Sequence, residues 1–371
     1  MKEPGYRLRS DWLLWILVGI LLGFSLWQPA GIRGYPALVD WPTLAALGGL
    51  LLLTAGIEAS GFLHRSAWRI TGVIRDERRL ALFLVAASAL LAGLLTNDIA
   101  LFIVVPLTLR LAQLAVLPVR RLVVFEALAV NTGSMFTPIG NPQNIYLWQS
   151  SGVHAHVFLA AMWRPTLVAT LCLLGFTLAA FRPVPMQPHA NGGPGPVRWP
   201  LFALSASLFL PFLVLADLRQ AELALLLVAA IYLLAYREVW RGLDWPLLLV
   251  FLLMFVDLKL VAGLPWVQEL VARLDLRHPL TLYATGTLLS QAISNVPATL
   301  LLSSYSSDWR TLAWAADMGG FGLALGSLAN LIALRLGRQR GGLLAFHAWS
   351  LPFLLLAGGL TALWLAAAAG G

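Results

Sequence analysis

Apolar residues along this chain come in long runs separated by short polar clusters, with no sustained alternation. FLAAMWRPTLVATLCLLGFTLAAF (158–181) is one such run. About 20 apolar residues of helix match the hydrocarbon core of a bilayer. The pattern predicts full crossings at 12–28, 41–63, 122–150, 157–181, 199–216, 219–236, 245–264, 311–336 and 345–368. Two apolar pairs remain, 80–95 with 98–117 and 279–293 with 296–305. The arm VPATLLLSSY (296–305) has ten residues, and ten residues of helix rise about 15 Å, half the core. That pair is therefore expected as a re-entrant hairpin. The first pair is expected to return likewise, because Arg110 follows Asp98 by only about three turns.

One of the runs is interrupted by NTGSMFTPIGNPQN (131–144). Irregular backbone is not tolerated against lipid, where unpaired N–H and C=O groups cost several kcal/mol each, but it is tolerated around a cavity or inside protein. Pro138 and Pro142 remove donors, and Gly133 and Gly140 loosen the helix. The span 122–150 is predicted to be a broken helix unwound at 137–143. Its counterpart, 311–336, is predicted to break around Gly326–Asn330. At the hairpin tips, Asn97 and Asn295 are placed as N-caps and Pro297 in the first turn of its arm.

Composition makes this an integral membrane protein. Of 371 residues, 59% are apolar and 11% charged, with mean hydropathy +0.81; soluble domains carry about 25% charged residues. Many of the fifteen Trp, including Trp12, Trp27, Trp41, Trp199, Trp245 and Trp266, sit near run ends, where headgroups favour amphipathic rings. The single Cys, Cys172, lies inside a run and is expected to be an inert buried thiol. MKEPGYRLRSD is followed by an apolar run with no small-residue cleavage site before Trp27, so a first membrane helix is expected there, not a signal peptide.

The net charge of +8 reflects topology, with no nucleic-acid partner implied. With the N-terminus inside, eighteen of the 25 Lys and Arg fall in cytoplasmic segments and five outside, while Arg164 and Lys259 lie within helices. Positive residues favour the cytoplasmic side. Both pairs must then be hairpins, entering from opposite sides, and the C-terminus lies outside. The expected compartment is a bacterial cytoplasmic membrane.

The halves also repeat. DWPTLAALGGLLLLTAGIEASG (40–61) pairs with DWPLLLVFLLMFVDLKLVAG (244–263), and TND (96–98) with SNV (294–296). TPIGNPQNIYL (137–147) pairs with LALGSLANLIAL (323–334), aligning Gly140 with Gly326 and Asn144 with Asn330. The copies are inverted, since they start an odd number of crossings apart. The first repeat is 1–181: helices 12–63, hairpin 80–117, broken helix 122–150 and helix 157–181. A Pro- and Gly-rich cytoplasmic linker follows at 182–198. The second repeat is 199–371: helices 199–264, hairpin 279–305, broken helix 311–336 and helix 345–368. Inverted repeats with broken helices and midplane polar groups mark secondary transporters.

TNDIALFIVVPL, GSMFTPIGNPQN, SNVPATLLL and GSLANLIA together resemble the ion transporter superfamily, in order along nearly the whole chain. That group includes divalent-anion/sodium symporters, arsenite permeases and sodium/proton antiporters, and the chain looks closest to a branch of poorly characterised bacterial inner-membrane permeases. The resemblance implies a scaffold domain, often dimeric, and a moving transport domain, with both hairpins and both broken helices, that works as an elevator. It implies one ion site at Thr96, Asn97 and the 137–144 segment (Thr137, Gly140, Asn141, Asn144). A second is implied at Ser294, Asn295, Pro297 and the 326–330 segment (Gly326, Ser327, Asn330), with substrate between the tips. The anion symporters typically carry Ser-Asn-Thr at both tips. Here a hydroxyl that would help hold a carboxylate is missing from each, and Asp98 brings a negative charge, closer to arsenite permeases and antiporters.

Asp98 is read as an ion or proton group, against the simpler role of a helix-end carboxylate, and Asp257 as a possible relay. Lys259 and Arg164 are expected to snorkel, Glu126 to be structural, and Glu58 and Asp317 are unassigned. The six His show no metal-ligand spacing, and no GxSxG, HExxH, phosphate loop or Cys cluster is present. A membrane-embedded enzyme or assembly factor is thus disfavoured. The sequence predicts a Na⁺- or H⁺-coupled permease for a small ion, with no cofactor beyond possible Na⁺.

Overall fold

A computed structural model describes residues 12–39, 41–74, 76–94, 96–186, 195–218, 220–243 and 245–369. Residues 187–194 of the linker 182–198, the N-terminal cluster with Lys2, Arg7 and Arg9, and Arg75, Arg219, Asp40 and Asp244 lie outside them. Among the described residues the chain is helical, with no named strand.

The first half comprises α1 (Trp12–Trp27), α2 (Tyr35–Leu38), α3 (Trp41–Ala59), α4 (Phe62–Val73), α5 (Glu77–Leu94), α6 (Asn97–Leu114), α7 (Val119–Ser134), α8 (Pro142–Ser151) and α9 (Ala155–Ala180). The second comprises α10 (Trp199–Asp217), α11 (Ala221–Ala235), α12 (Trp245–Ala262), α13 (Pro265–Ala272), α14 (Pro279–Ile293), α15 (Asn295–Leu302), α16 (Trp309–Gly319), α17 (Leu328–Gly337), α18 (Gly342–Phe353) and α19 (Gly359–Ala369). A π-helical turn, Leu354–Gly358, joins the last two.

Three uninterrupted helices among the described residues are long and apolar enough to cross a bilayer: Asn97–Leu114, Ala155–Ala180 and Gly342–Ala367. Of the nine expected crossings, two are split by unwound segments, and α11 is an apolar helix of 15 residues. α6, expected at 98–117, has 18 residues, whereas α15, expected as a half-length arm, has eight, a rise of about 12 Å. The crossing drawn to residue 63 stops at Ala59. Gly61 takes φ 79°, a left-handed turn that favours glycine, and α4 follows. Arg65 and Arg69, assigned to a cytoplasmic segment, lie on that helix.

The chain divides into two compact units, Met1–Phe62 with Val197–Pro265, and Leu63–Pro196 with Trp266–Gly371. In the first, α3 packs on α10 and α11, and α1 on α12. Tyr232 is fully buried there and donates its hydroxyl to Ser205 (2.6 Å). Arg198 ties the end of this unit down: its backbone N–H donates to Ser60, its guanidinium bonds Glu238 at 2.8 Å, and it lies over Tyr236. That bond holds the exposed Glu238 carboxyl below its ordinary range.

The second unit holds all four polar segments. α7 packs against α5, α6 and α9, and α16 against α8, α9, α14 and α15. α17 lies on α6 and α7, so elements from the two halves of the sequence interleave. Glu126 is buried between α6 and α7 and accepts the Thr108 hydroxyl. Arg164 stacks on Trp163 and Trp364, and Cys172 is buried and free.

Candidate functional site

The first tip is shaped by one hydroxyl. Thr96, extended at φ −134°, is the N-cap of α6 and accepts from the Ile99 N–H at 3.3 Å. Asn97, expected in that place, is instead the first helical residue. It is buried, its backbone N–H donates to Gly140 (2.9 Å), and its Oδ1 accepts from Asp98 N. The tip is thereby fastened to the unwound segment. Thr137 adds a second tie, donating to the Gly93 carbonyl at 2.9 Å. Asp98 is buried and its Oδ1 has no hydrogen-bond partner. The capping oxygen is that of Thr96, so Oδ1 of Asp98 is not engaged as a cap.

The first break runs from Met135 to Asn141, two residues earlier than expected. α8 starts at Pro142, where a missing N–H costs nothing, with Asn141 as its cap, accepting from Asn144 N at 2.9 Å. Gly140 is required by close approach: a Cβ there would lie 2.2 Å from the Ser134 carbonyl oxygen. Asn144 is fully buried and spans the gap, its Nδ2 facing the carbonyls of Ser134, Met135 and Thr137, each at 3.4 Å.

The second tip is capped differently. Ser294 makes no side-chain cap bond and sits at φ 73°, ψ 155°, a region almost reserved for glycine. Asn295, expected as the cap, is again the first helical residue, with Ser294 in the cap position, and Pro297 follows in the first turn. Asn295 lies against the second break, where a Cβ at Gly320 would meet its amide nitrogen at 3.3 Å. This break spans 320–327, with a short 3-10 turn at Ala324–Gly326. It lies earlier than Gly326–Asn330, because Ser327 caps α17 and Asn330 is inside it. Gly326 also answers to close approach: a Cβ there would lie 2.5 Å from the Gly319 oxygen. Gln291, on α14, pins the break by donating to the Gly319 carbonyl and accepting from Leu323 N.

Two residues that the sequence analysis did not place as site residues lock the breaks together. Asn131, on α7, donates to Asn330 Oδ1 (2.8 Å) and accepts from the Ser327 hydroxyl (3.2 Å). Asp317, on α16, accepts from Asn141 Nδ2 (2.9 Å) and Gln143 Nε2 (3.1 Å). Each broken helix thus supplies a buried polar side chain to the break of the other. The offset that aligns Gly140 with Gly326 and Asn144 with Asn330 also aligns Asn131 with Asp317 and Asn141 with Ser327. Carried one helical stretch upstream, that alignment would have found both.

Thr96, Asn97, Thr137, Gly140, Asn141 and Asn144 are joined in one place, and Ser294, Asn295, Gly326, Ser327 and Asn330 surround the other. Asp257 belongs to the other compact unit; it is 1% exposed and neither carboxylate oxygen has a hydrogen-bond partner. Chemically, the starts of α6, α8, α15 and α17 bring positive helix ends to this region, and the ends of α7 and α16 bring carbonyls. Such an arrangement serves an anion and a hard cation together. No group of three or more His, Cys, Asp or Glu poised for a metal is present among the described residues.

Comparison with known proteins agrees with this architecture. The family model described as "Citrate transporter" matches residues 7–319. The inner membrane protein YbiR of Escherichia coli K12 is 43% identical over 96% of both chains. The uncharacterized transporter MJ0456 of Methanocaldococcus jannaschii is 30% identical over 87% of this chain and 88% of its own. The mouse P protein is 27% identical over 33% of this chain, only 16% of its own length. The chain belongs to the citrate transporter family and is a multi-pass inner-membrane permease.

Proposed function

We propose that this permease is a secondary transporter moving a small anion, inorganic or organic, driven by a Na⁺ or H⁺ gradient. The observation that carries the reading is the docking of tip on break, Asn97 N–H to the Gly140 carbonyl and Asn295 against Gly320, within one compact unit. The anion sits between the tips, held by the N-termini of α6 and α15, and coupling cations sit on the carbonyls of the breaks. The reciprocal bonds of Asn131 and Asp317 support two inverted repeats, 1–181 and 199–371. The unit with both tips then moves as the elevator against the other, the scaffold of a homodimer in the lipid. In the membrane, the α5–α6 and α14–α15 pairs are re-entrant.

The family's printed description names citrate, while the tips lack the third-position hydroxyl that favours carboxylate. A second reading, exchange of Na⁺ for H⁺ or efflux of arsenite, is favoured by the buried Asp98 in the tip. Purified protein in liposomes, given imposed Na⁺ or pH gradients, separates them: citrate or an inorganic anion accumulates under the first reading, and only cations or arsenite move under the second. Asn97→Ala and Asn295→Ala are each expected to cut transport at least tenfold. Wild-type rates in both would place the site elsewhere.

A further inference from the structure

Arg164 is a membrane cation with no anion beside it. It lies on α9, a helix of 26 residues long and apolar enough to cross the bilayer. Neither α9 nor α19 contains an Asp or Glu. Among the described residues the guanidinium makes no ion pair. It stacks on two indoles, 5.2 Å from the centroid of Trp163 and 4.8 Å from that of Trp364. Indole faces attract a cation, but stacking engages the faces of the guanidinium and not its N–H edge. That edge is a planar fork of donors matched to a phosphate. A charge at membrane depth is costly and is found paired.

The surroundings of this cation are apolar. Arg164 borders a groove of about 370 Å³ between α9 and α19, walled by Leu167, Val168 and Leu360 together with the two indoles. Leu167 and Leu360 are exposed, as are Leu171 and Leu363 on the same two helices. α9 rises about 39 Å against a hydrocarbon core of about 30 Å, so it overhangs. Helical side chains lean toward the N-terminus, which carries the guanidinium toward the headgroups at the start of α9. A small soluble anion gains nothing from leucine walls. An amphiphile with one anionic group and long apolar chains uses both the walls and the charge.

The indole beneath Arg164 is backed by the core. Pro165 has no N–H to give the Ala161 carbonyl. The buried Trp314, on α16, donates its indole N–H to that oxygen instead, at 3.1 Å. The Trp314 ring lies 5.0 Å from that of Trp364.

We propose that this groove binds an anionic phospholipid. Its phosphate accepts from the Arg164 guanidinium, and one acyl chain lies along Leu167, Val168 and Leu360. Basic pockets between membrane helices hold lipid headgroups in this way. The site lies apart from the tips and breaks and does not depend on which ion is transported.

The test counts lipid. Full-length protein in mild detergent is titrated with dioleoyl phosphatidylglycerol, with dioleoyl phosphatidylcholine and with inorganic phosphate, and retained lipid is read by native mass spectrometry. Wild type is expected to hold one phosphatidylglycerol per chain about tenfold more tightly than phosphatidylcholine, with excess phosphate unable to displace it. Arg164→Gln is expected to erase that preference, and Arg164→Lys, which keeps the charge without the fork, to fall between. Val168→Trp, which fills the groove and leaves Arg164 in place, is expected to lose the lipid. Equal retention of the two lipids by wild type overturns the proposal, as does displacement by phosphate or unchanged retention in Arg164→Gln. If Arg164→Gln does not fold, wild-type retention in both Arg164→Lys and Val168→Trp overturns it. A dimer that forms without phosphatidylglycerol and is broken by Val168→Trp would give the groove to a second copy of the chain and overturn it too.

Discussion

Ser294 shows how one residue stores strain at the turn between two helices. Its φ of 73° with ψ 155° costs about 1–3 kcal/mol for a residue with a Cβ. Ser294→Gly is therefore expected to raise the melting temperature, whereas Ser294→Ala, which keeps the Cβ, is not. Equal effects of the two in a thermal melt would remove strain as the explanation. At this scale the sequence was informative where a polar type stood alone in an apolar run. Asn97 and Asn295 were read that way at the starts of their helices, and Thr96 and Asn141 came with the resembling motifs. The one-residue error at both caps arose because Thr-Asn and Ser-Asn each offer two residues that cap helices well. Only the backbone angles decide between them.

Between elements, the breaks are held by backbone packed against backbone. Gly140 faces Ser134 and Gly326 faces Gly319, each too close for a Cβ. Alanine at either position forces the chain apart, and such overpacking costs about 1–3 kcal/mol. Gly140→Ala and Gly326→Ala are each expected to lower the melting temperature and impair transport. The glycines in open space, such as Gly175, serve as controls whose alanine variants melt as wild type does. Hydropathy and the Pro and Gly pattern placed the two helix breaks within a few residues. It missed α4, because a helix of twelve residues with Arg65 and Arg69 does not register as a membrane run.

For the whole molecule, the charge asymmetry predicts an orientation: by the excess of Lys and Arg in alternate segments, the N-terminus is expected inside and the C-terminus outside. Alkaline phosphatase fused after Gly371 is expected to be active and a fluorescent protein fused there dark. The reverse pattern would force one hairpin to be a full crossing. The two compact units cut across the order of the chain, each taking a segment from both halves, so the unit that gathers the tips and breaks is assembled from distant sequence.

By itself the sequence determined that this is a helical membrane protein with interrupted helices, because the bilayer demands apolar length and punishes unpaired backbone wherever it meets lipid. The partners of Asn131 and Asp317 were decided only by the tertiary structure. A buried amide or carboxylate must find a complement, and which one it finds depends on which distant helices the packing brings within 3 Å. Periodicity along the chain carries no record of that choice.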